Sequence, residues 1–379
     1  MTHLKHMGRI SAATAVLTLG IAACGTSSSS ASLSSSGVCA PSQVKLVTSI
    51  RTLSNPYQGE WAKGAQEYAN SVHLKLDTLV DNGDSLTERS LLAAVVAGGG
   101  HCVVVNLDPN TDADTLPDVK LLTAAGAYVV TQWSLPENLY PWNVSNHWIM
   151  SIAPNGVTSG YNNAKILFKA MGEKGNIVAL QGILDGLPEQ QRWEGLQEAL
   201  QQTPGIHLLA YQSAGWNLAP ADTDTAAWLA KYPGQIGGVW AANDNMALGA
   251  LSALQAGGVS AAKTEVVGTS DAVPQALADI AAGTDGYLST TDSSGYWQGG
   301  VGLALGYMAA TGTLNVNKMP HSQRLAYTAE TTVTSANVKS FLTLPSQKVL
   351  VQEWKSPFKL FTGPVTFPAY SEKYGTYGY

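Results

Sequence analysis

The sequence has little charge for its length. Charged residues make up 13% of the 379 residues, the formal net charge is −6, and no run of basic residues occurs. Nucleic acids and anionic membrane surfaces attract clusters of lysine and arginine, so neither is an expected partner. The length exceeds what a single small core requires, so we expect two domains.

Motifs for common catalytic and metal centres are also missing. The sequence has no Gly-x-Ser-x-Gly elbow and no His-Glu-x-x-His pair, and its seven histidines are scattered. The glycines at 98–100 lack the Lys-Ser/Thr ending of a phosphate loop, and we interpret them as a helix stop. We therefore expect no metal, no cofactor and no enzymatic activity.

The N-terminus predicts export. Two basic residues precede an apolar run over 10–23 that is too short for a stable membrane span, which is typical of a signal peptide over 1–23. The run ends Ile-Ala-Ala-Cys, which resembles a bacterial lipoprotein cleavage box with Cys24 as the lipidated residue. The alternative is ordinary secretion with an incidental cysteine. Serines dominate 26–36, so we interpret 24–42 as a flexible tether between a lipid anchor in the bacterial cell membrane and an extracytoplasmic protein.

Two of the three cysteines, Cys39 and Cys102, lie beyond the predicted lipidation site. In an oxidising exterior they would pair, and the disulfide would join the region of the first strand to the strand near Val103. The alternative is two separate buried thiols, because the sequence does not supply their geometry.

Short β-branched runs alternate with longer helical patterns from about residue 43 to 282, in two successive series. Strands that alternate with helices predict parallel, doubly wound sheets, so the expected fold class is α/β with two lobes. Beyond residue 344 the composition and the periodicity of the sequence change. The segment 345–379 is rich in Pro, Tyr, Phe and Lys without a clear period, and it is either a strap packed on one lobe or a loose tail.

Polar and aromatic residues follow the predicted strands in both series. In open α/β sheets, ligands bind beyond the carboxyl ends of the strands. A cleft between the two lobes would therefore collect the residues at those ends, namely Asn55, Asn106, Asp108, Gln132, Trp133, Trp216, Asn243, Asp244 and Asp271.

Five stretches carry a family resemblance. They are SNPYQGEWAKGAQEYA at 54–69, SIAPNGVTSGYNNAKIL at 151–167, VALQGILDGLPEQQRWEGLQEAL at 178–200, WAANDNMALGALSALQAGG at 240–258 and VVGTSDAVPQALADIAAG at 266–283. The third contains an Arg-x-x-Gly pattern, and the fourth contains Asn-Asp-x-Met-Ala-Leu-Gly-Ala. In this order, the stretches resemble the type I periplasmic sugar-binding protein family, the ribose-binding protein group that serves ABC importers.

The resemblance implies two lobes joined by three crossings. The N-terminal lobe would comprise 43–150 plus 291–327, and the C-terminal lobe 151–290 plus 328–344, with 345–379 as an extension. The implied function is that of a monomeric extracytoplasmic receptor, which binds a sugar or sugar-like ligand in the cleft, closes on it and presents it to the membrane permease of an ABC importer. The alternatives are a carbohydrate-active enzyme with the same cleft, or a ligand sensor for a membrane signalling partner.

The resemblance also implies roles for individual polar residues. A sugar needs planar polar partners for its hydroxyls, so Asn243 would bind hydroxyls while Asp244 caps the following helix. Arg192 would reach into the cleft. The alternatives are that Asn243 serves only its turn and that Arg192 forms a surface ion pair with a neighbouring glutamate. Asp271 fits the family pattern only if the extra Ser270 is absorbed as a bulge.

Aromatic walls would cover the apolar faces of the sugar, with Tyr57 and Trp216 at matching positions. Gln58 stands where many members have a second aromatic residue. Gln132-Trp133 replaces the family's Asp-Arg, and Asp292 or Ser293 replaces a late glutamine, so the resemblance does not imply one particular ligand. The candidate ligand-binding residues are Asn55, Tyr57, Gln58, Asp108, Trp133, Arg192, Trp216, Asn243, Asp271 and Asp292.

Overall fold

The computed structural model describes residues 37–260, 263–343 and 347–365. The predicted signal peptide, Cys24 and most of the Ser-rich tether lie outside the described residues. Within the described residues, no helix combines the length and the apolar character that crossing a bilayer requires.

Strands and helices alternate along the described chain, as the sequence predicts. In chain order the strands are β1 (Lys45–Ile50), β2 (Leu76–Val80), β3 (Val103–Leu107), β4 (Tyr128–Gln132), β5 (Trp148–Ala153), β6 (Gly175–Gln181), β7 (Ile206–Ser213), β8 (Ile236–Ala241), β9 (Glu265–Gly268), β10 (Tyr287–Asp292), β11 (Leu325–Thr328), β12 (Thr331–Thr334) and β13 (Phe361–Pro364). The helices are α1 (Pro56–Ser71), α2 (Ser85–Val96), α3 (Asp112–Ala124), α4 (Pro141–Val144), α5 (Gly156–Ala170), α6 (Leu187–Gln201), α7 (Leu218–Lys231), α8 (Asp244–Ala256), α9 (Pro274–Ala282), α10 (Gly295–Ala310) and α11 (Gln347–Trp354).

The strands form two sheets, each with a parallel body and one antiparallel edge strand. The first sheet has the order β13-β11-β5-β4-β3-β1-β2, with β13 antiparallel to β11. The second has the order β12-β10-β9-β8-β6-β7, with β12 antiparallel to β10. We call the body built on each sheet the first lobe and the second lobe. The predicted fold class, α/β with two parallel-sheet lobes, is confirmed.

The chain passes from one sheet to the other after β5, after β10 and between β11 and β12, and it returns to the first sheet between β12 and β13. We call the first three passages the three crossings. A single carboxylate connects these three crossings. Glu330, which lies in the third crossing, accepts hydrogen bonds from the backbone N–H of Asn155 in the first and from the hydroxyl of Ser293 in the second, both at 3.0 Å. The crossings are therefore joined to one another by side-chain bonds as well as by the sheets.

Cys39 and Cys102 form a disulfide in the structure, with their Cα atoms 5.7 Å apart. Both cysteines are buried, and they precede β1 and β3, respectively. The disulfide thus lies at the amino ends of the strands, on the edge of the first sheet opposite to the one where ligands are expected.

The described part of the C-terminal extension packs on the first lobe. Trp354 in α11 is 1% exposed, and its indole N–H donates to the carbonyl of Trp297 in α10 at 3.1 Å. Its ring also contacts Tyr68 of α1 edge to face. Because β13 extends the first sheet, residues 347–365 form a strap on this lobe.

Candidate functional site

A cavity lies between the carboxyl ends of the two sheets, with walls from both lobes. Its volume is about 60 Å³. Nine of the ten candidate residues line it; the exception is Asp292. The full lining is Arg51, Asn55, Tyr57, Gln58, Asp108, Asn110, Trp133, Ser134, Ile183, Gly186, Pro188, Arg192, Trp216, Asn243 and Asp271.

Asn55 occupies the turn that starts α1. Its side-chain oxygen accepts a hydrogen bond from the backbone N–H of Tyr57 at 3.0 Å, and Pro56 follows as the first helical residue, where its missing N–H costs nothing. The cap uses the amide oxygen and leaves the amide nitrogen as a donor at the cavity wall. A ligand hydroxyl is a suitable acceptor for that nitrogen.

The aromatic wall of the first lobe is fixed by hydrogen bonds. The indole N–H of Trp133 donates to the hydroxyl of Tyr57 at 2.9 Å, and this hydroxyl donates to the side chain of Gln298. The two rings meet edge to face, with centroids 5.6 Å apart. Trp133 holds a left-handed backbone conformation (φ 67°), which is uncommon for a bulky residue. The ring orientations are therefore set before any ligand enters.

Gln58 and Asp108 form a polar pair in the same wall. The amide nitrogen of Gln58 donates to the carboxylate of Asp108 at 2.7 Å, while its oxygen accepts from the backbone N–H of Arg51 at 3.2 Å. Burial raises the pKa of Asp108 to about 6, although the charge of Arg51 and the bond from Gln58 oppose this rise. The polar wall that the sequence predicts at Gln58 is thus a buried carboxylate–amide pair.

Arg192 lies between two tryptophans, one from each lobe. Its guanidinium carbon is 5.1 Å from the ring centre of Trp133 and 5.2 Å from that of Trp216. The side chain is 3% exposed, one terminal nitrogen donates to the carbonyl of Ala242 at 2.7 Å, and Nε has no hydrogen-bond partner among the described residues. Among the described residues, the ion pairs involve Arg89 and not Arg192. Arg192 is therefore a cleft residue and not part of a surface ion pair.

The Arg-x-x-Gly pattern has a packing reason. Gly195 faces α5, and a Cβ added there would lie 2.2 Å from the carbonyl oxygen of Val157. The glycine lets α5 and α6 approach closely, and Arg192, one turn earlier, projects into the cleft.

Asn243 and Asp244 differ from the prediction in one respect. Asn243, not Asp244, caps α8, because its side-chain oxygen accepts from the backbone N–H of Met246 at 3.0 Å. Asp244 is the first helical residue, and its buried carboxylate accepts from the N–H of Val273 at 2.9 Å and from the hydroxyl of Tyr287 at 2.7 Å. The predicted cap by Asp244 is wrong because this side chain points into the second lobe. Its role is to hold α8 against the start of α9 and β10.

Asp271 reaches the cavity because the backbone absorbs the extra residue. Asp271 and Ala272 both have positive φ, at 108° and 53°. Burial raises the pKa of Asp271 to about 6, while the charge of Arg192 and hydrogen bonds from Ser270 and Asn243 oppose this rise. The amide oxygen of Asn243 therefore caps α8, and its amide nitrogen donates a hydrogen bond to Asp271.

Asp292 is the candidate that the structure does not bring to this cavity. Its carboxylate accepts from the backbone N–H of Ser294 at 2.8 Å and lines a second cavity, which also touches Asp271. The tight turn between β10 and α10 holds the side chain there. Asp292 is therefore not placed to share a ligand with Arg192 in the first cavity.

The sequence prediction omitted Arg51 and Asn110. Nε and Nη2 of Arg51 donate to the side-chain and backbone oxygens of Asn110, at 3.1 and 2.7 Å. Both residues follow the carboxyl ends of strands, β1 and β3, so the strand-end rule would have included them.

One group of the described residues has the spacing of a metal site: Cys39, His101 and Cys102. The disulfide uses both sulfurs, so no thiolate is available to a metal ion there.

Comparison with known proteins places this geometry in a family. A family model described as periplasmic binding protein domain matches residues 46–314. The chain is 28% identical to the xylitol-binding protein of Mycolicibacterium smegmatis, over 80% of each chain. It is 29% identical to the ribose import binding protein of Escherichia coli, over 56% of this chain and 68% of that protein.

Solved structures agree with this result. A twin-arginine translocation pathway signal protein from Burkholderia phytofirmans has a TM-score of 0.80 and 35% identity, over 86% of this chain and 99% of that one. A periplasmic solute-binding protein of an ABC transporter from Actinobacillus succinogenes, with bound D-allose, has a TM-score of 0.68 and 26% identity, over 78% and 99%.

Proposed function

Because the chain belongs to the periplasmic binding protein domain family, it is an extracytoplasmic solute-binding protein, and we propose that it presents a sugar or polyol to an ABC importer. The observation that carries the proposal is a cavity at the carboxyl ends of both sheets, to which both lobes contribute polar groups and aromatic rings. A ligand that contacts both walls at once binds best when the lobes are together.

The cavity chemistry suits an uncharged polyhydroxylated ligand. Asn55 and Arg192 offer donors, while Asp108 and Asp271 offer carboxylate acceptors, and charge-assisted bonds to hydroxyls are the stronger kind. The rings of Trp133 and Trp216 cover the apolar C–H faces. Two of the relatives support this class, since one is named for xylitol and another holds D-allose.

The size of the cavity favours a small ligand. Since one water molecule needs at least roughly 10–15 Å³, a cavity of about 60 Å³ holds only a few water molecules. A single ring or a short open-chain polyol displaces a comparable group of waters, whereas an oligosaccharide does not fit without an opening of the lobes.

We propose closure by population shift. The three crossings act as the hinge, and the ligand stabilises the closed form by its higher affinity for that form. The membrane permease would then recognise the surface that the closed lobes share.

We also propose that the cleft binds without turnover. Glycoside hydrolysis requires two carboxyl groups on either side of the scissile bond. Of the cavity carboxylates, Asp108 is bonded to Gln58, and Asp271 is bonded to Asn243 and Ser270. Incubation with aryl glycosides should leave them intact, and release of the aglycone would favour an enzyme.

We propose that a lipid on Cys24 holds a monomer at the cell membrane. Metabolic labelling with a fatty acid should mark the wild type and not Cys24→Ala. Labelling of both proteins would favour another attachment.

Calorimetry tests the ligand class. We expect at least one of xylitol, D-allose and myo-inositol to bind, and Arg192→Ala to weaken that binding by about 1–3 kcal/mol because polar partners lose a bond in a buried site. Arg89→Ala is the matched control, since Arg89 pairs with Asp114 and Asp118 away from the cavity. Small-angle scattering should show a smaller radius with ligand. An unchanged radius at saturation, or equal affinity in both variants, would contradict the proposal.

A further inference from the structure

A second cavity adjoins the first and is larger, with a volume of about 340 Å³. Asp271 borders both cavities, so the two are neighbours. The walls come from α1, α9, the start of α10 and the segment before α11. They are lined by Glu60, Asp271, Ala272, Pro274, Leu277, Asp292, Ser294, Tyr296, Ser340, Phe341, Leu342 and Thr343.

Glu60 is the unusual member of this lining. Its side chain belongs to a residue that is only 8% exposed, and it accepts no hydrogen bond from the residues that the structure describes. Burial raises its pKa to about 7. A buried carboxylate without a partner is costly, and a bound group of opposite charge would remove that cost.

The second cavity also lacks a cation of its own. Three carboxylates line it, from Glu60, Asp271 and Asp292, and the lining contains no lysine, arginine or histidine in the part of the chain that the structure describes. Asp271 is attracted by Arg192 from the first cavity, and exposed Lys63 is the charge that lowers the pKa of Glu60. The field inside the second cavity is therefore negative.

The remaining walls distinguish an organic cation from a metal ion. A hard metal ion requires a cage of oxygen ligands, whereas apolar side chains form much of this surface. Pro274, Leu277 and Leu342 supply aliphatic contacts, and the rings of Tyr296 and Phe341 supply faces that attract an ammonium group. Aromatic rings beside carboxylates are a recognition pattern for amines.

We propose that this second cavity binds the protonated amine of a small organic molecule, with Glu60 and Asp292 as its counter-charges. The amine reaches the cavity either as a free small amine or as the amino group of a sugar-like ligand whose ring occupies the first cavity. Because Asp271 lines both cavities, a sugar-like ligand in the first cavity would place its amino group past Asp271 into the second cavity. The free-amine case does not depend on the proposed sugar function.

The charge of Glu60 sets the pH dependence of this binding. Lys63, Asp271 and Asp292 act on its carboxylate, and the hydroxyl of Tyr296 lies within reach of the same charge. Since the pKa of Glu60 is about 7, its carboxylate becomes charged as the pH rises from 6 to 8. Amine affinity should rise over this range. Between pH 7 and 8, where Asp108 and Asp271 are already charged, the affinity for an uncharged sugar should not follow it.

Calorimetry with 1,4-diaminobutane, glucosamine and glucose tests the proposal. We expect an amine to bind the wild type and Glu60→Gln to weaken it roughly tenfold to a hundredfold, the usual range for a charge-assisted bond. Asp77→Asn removes a carboxylate at an exposed position of β2, outside the cavity lining, and should bind as the wild type does. Preference for 1,4-diaminobutane indicates a free amine, and preference for glucosamine over glucose indicates an amino group on the cleft ligand.

Three results would overturn it. The first is that neither amine binds. The second is that amine binding survives Glu60→Gln but is lost in Arg192→Ala, which would place the amine in the first cavity. The third is that calcium ions, and not amines, bind in a Glu60-dependent manner. Thermal unfolding checks that Glu60→Gln is folded. Its melting temperature should equal or exceed that of the wild type, because the substitution removes an unpartnered buried charge. Sugar binding that persists through all three leaves the proposed receptor function intact.

Discussion

The backbone N–H of Leu187 donates to the carboxylate of Asp112 across the interlobe cleft, at 2.9 Å. Leu187 is the first residue of α6 in the second lobe, and the N-cap, Gly186, offers no side chain. Asp112 begins α3 in the first lobe, and its other oxygen accepts from the N–H of Leu135 at 2.8 Å. One lobe thus caps a helix of the other. The Leu187 side chain, 1% exposed, packs in a hydrophobic cluster with first-lobe residues including Leu135.

This contact predicts a ligand-independent contribution to closure. Burial raises the pKa of Asp112 to about 7, so the carboxyl is charged at pH 8. At that pH, Asp112→Ala should shift the lobes apart in the absence of ligand and weaken ligand binding by about 1.5–3 kcal/mol, because a hydrogen bond to a charged group is lost between the lobes. Small-angle scattering should give a larger radius for the unliganded variant. Asp77→Ala, on an exposed position of β2, is the control. A variant with the wild-type radius and affinity would show that the contact does not hold the lobes.

Much of the fold could be predicted from the sequence because most strands and helices carry a visible period. The sequence did not predict β5 or the elements after residue 282, and the longest of these is α10. It is buried on nearly all sides between α1 and the first sheet, so its apolar residues form no stripe. A helix that is apolar all round shows no helical period, and tertiary packing alone defines it.

The candidate site could be predicted where a residue directly follows a strand. Asn55 and Asn243 lie in turns that follow strands, whereas Arg192 is assigned by the Arg-x-x-Gly pattern of the family resemblance, and all three line one cavity. Asp292 follows a strand in the same way, but a local hydrogen bond to the backbone turns it elsewhere. The contact between Asp112 and Leu187 joins two lobes, and no local pattern encodes such a pairing.

Glu330 should stiffen the hinge. Glu330→Ala removes the bonds that tie the third crossing to Asn155 and Ser293, so the three crossings should move more independently. We expect faster hydrogen exchange at the backbone N–H of Asn155 and a loss of about 1–3 kcal/mol in the free energy of unfolding. Glu137→Ala, at an exposed position, should change neither. Unchanged exchange at Asn155 would rule out this role for Glu330.

The disulfide should contribute to stability and not to binding. Cys39 and Cys102 are separated by 63 residues. A cross-link over this distance reduces the conformational entropy of the unfolded chain, which raises the free energy of the unfolded state by about 4 kcal/mol. The double change to serine should therefore lower the melting temperature. Ligand affinity should stay the same, because the disulfide lies at the amino ends of the strands. A reductant should lower the melting temperature of the wild type and leave the double variant unaffected. Equal melting temperatures would contradict the prediction.

Buried carboxyl groups should make the protein more stable at moderately acidic pH than at alkaline pH. Burial raises the pKa of Glu88 to about 9 and those of Glu189 and Asp244 to about 8. In the unfolded chain, carboxyl groups titrate near pH 4, so between these values the folded state binds more protons. The free energy of unfolding therefore falls as the pH rises from 6 to 9.

Thermal unfolding across this pH range measures the effect. Glu88→Gln should make the fall in stability shallower across the whole range from pH 6 to 9, because glutamine keeps an acceptor for the N–H of Asn110 and cannot ionise. Glu137→Gln, at an exposed position, should keep the wild-type profile. A wild-type melting temperature that rises from pH 6 to pH 9 would mean that other groups dominate the linkage.

A close approach between α1 and α10 should support the cavity wall. Gly64 lies on the face of α1 that meets α10, and a Cβ added there would lie 1.8 Å from the carbonyl oxygen of Tyr296. Gly64→Ala should force the helices apart, lower the free energy of unfolding by about 1–3 kcal/mol and weaken ligand binding, because α1 carries Tyr57 and Gln58.

Gly59→Ala is the matched control on the same helix, since a Cβ there meets no atom within 4 Å. That variant should be as stable as the wild type or more stable by about 0.5–1 kcal/mol, as alanine favours helix over glycine. Denaturant unfolding of the wild type and both variants gives their free energies of unfolding. Equal values for the two variants would show that α1 and α10 separate at this contact without a loss of stability.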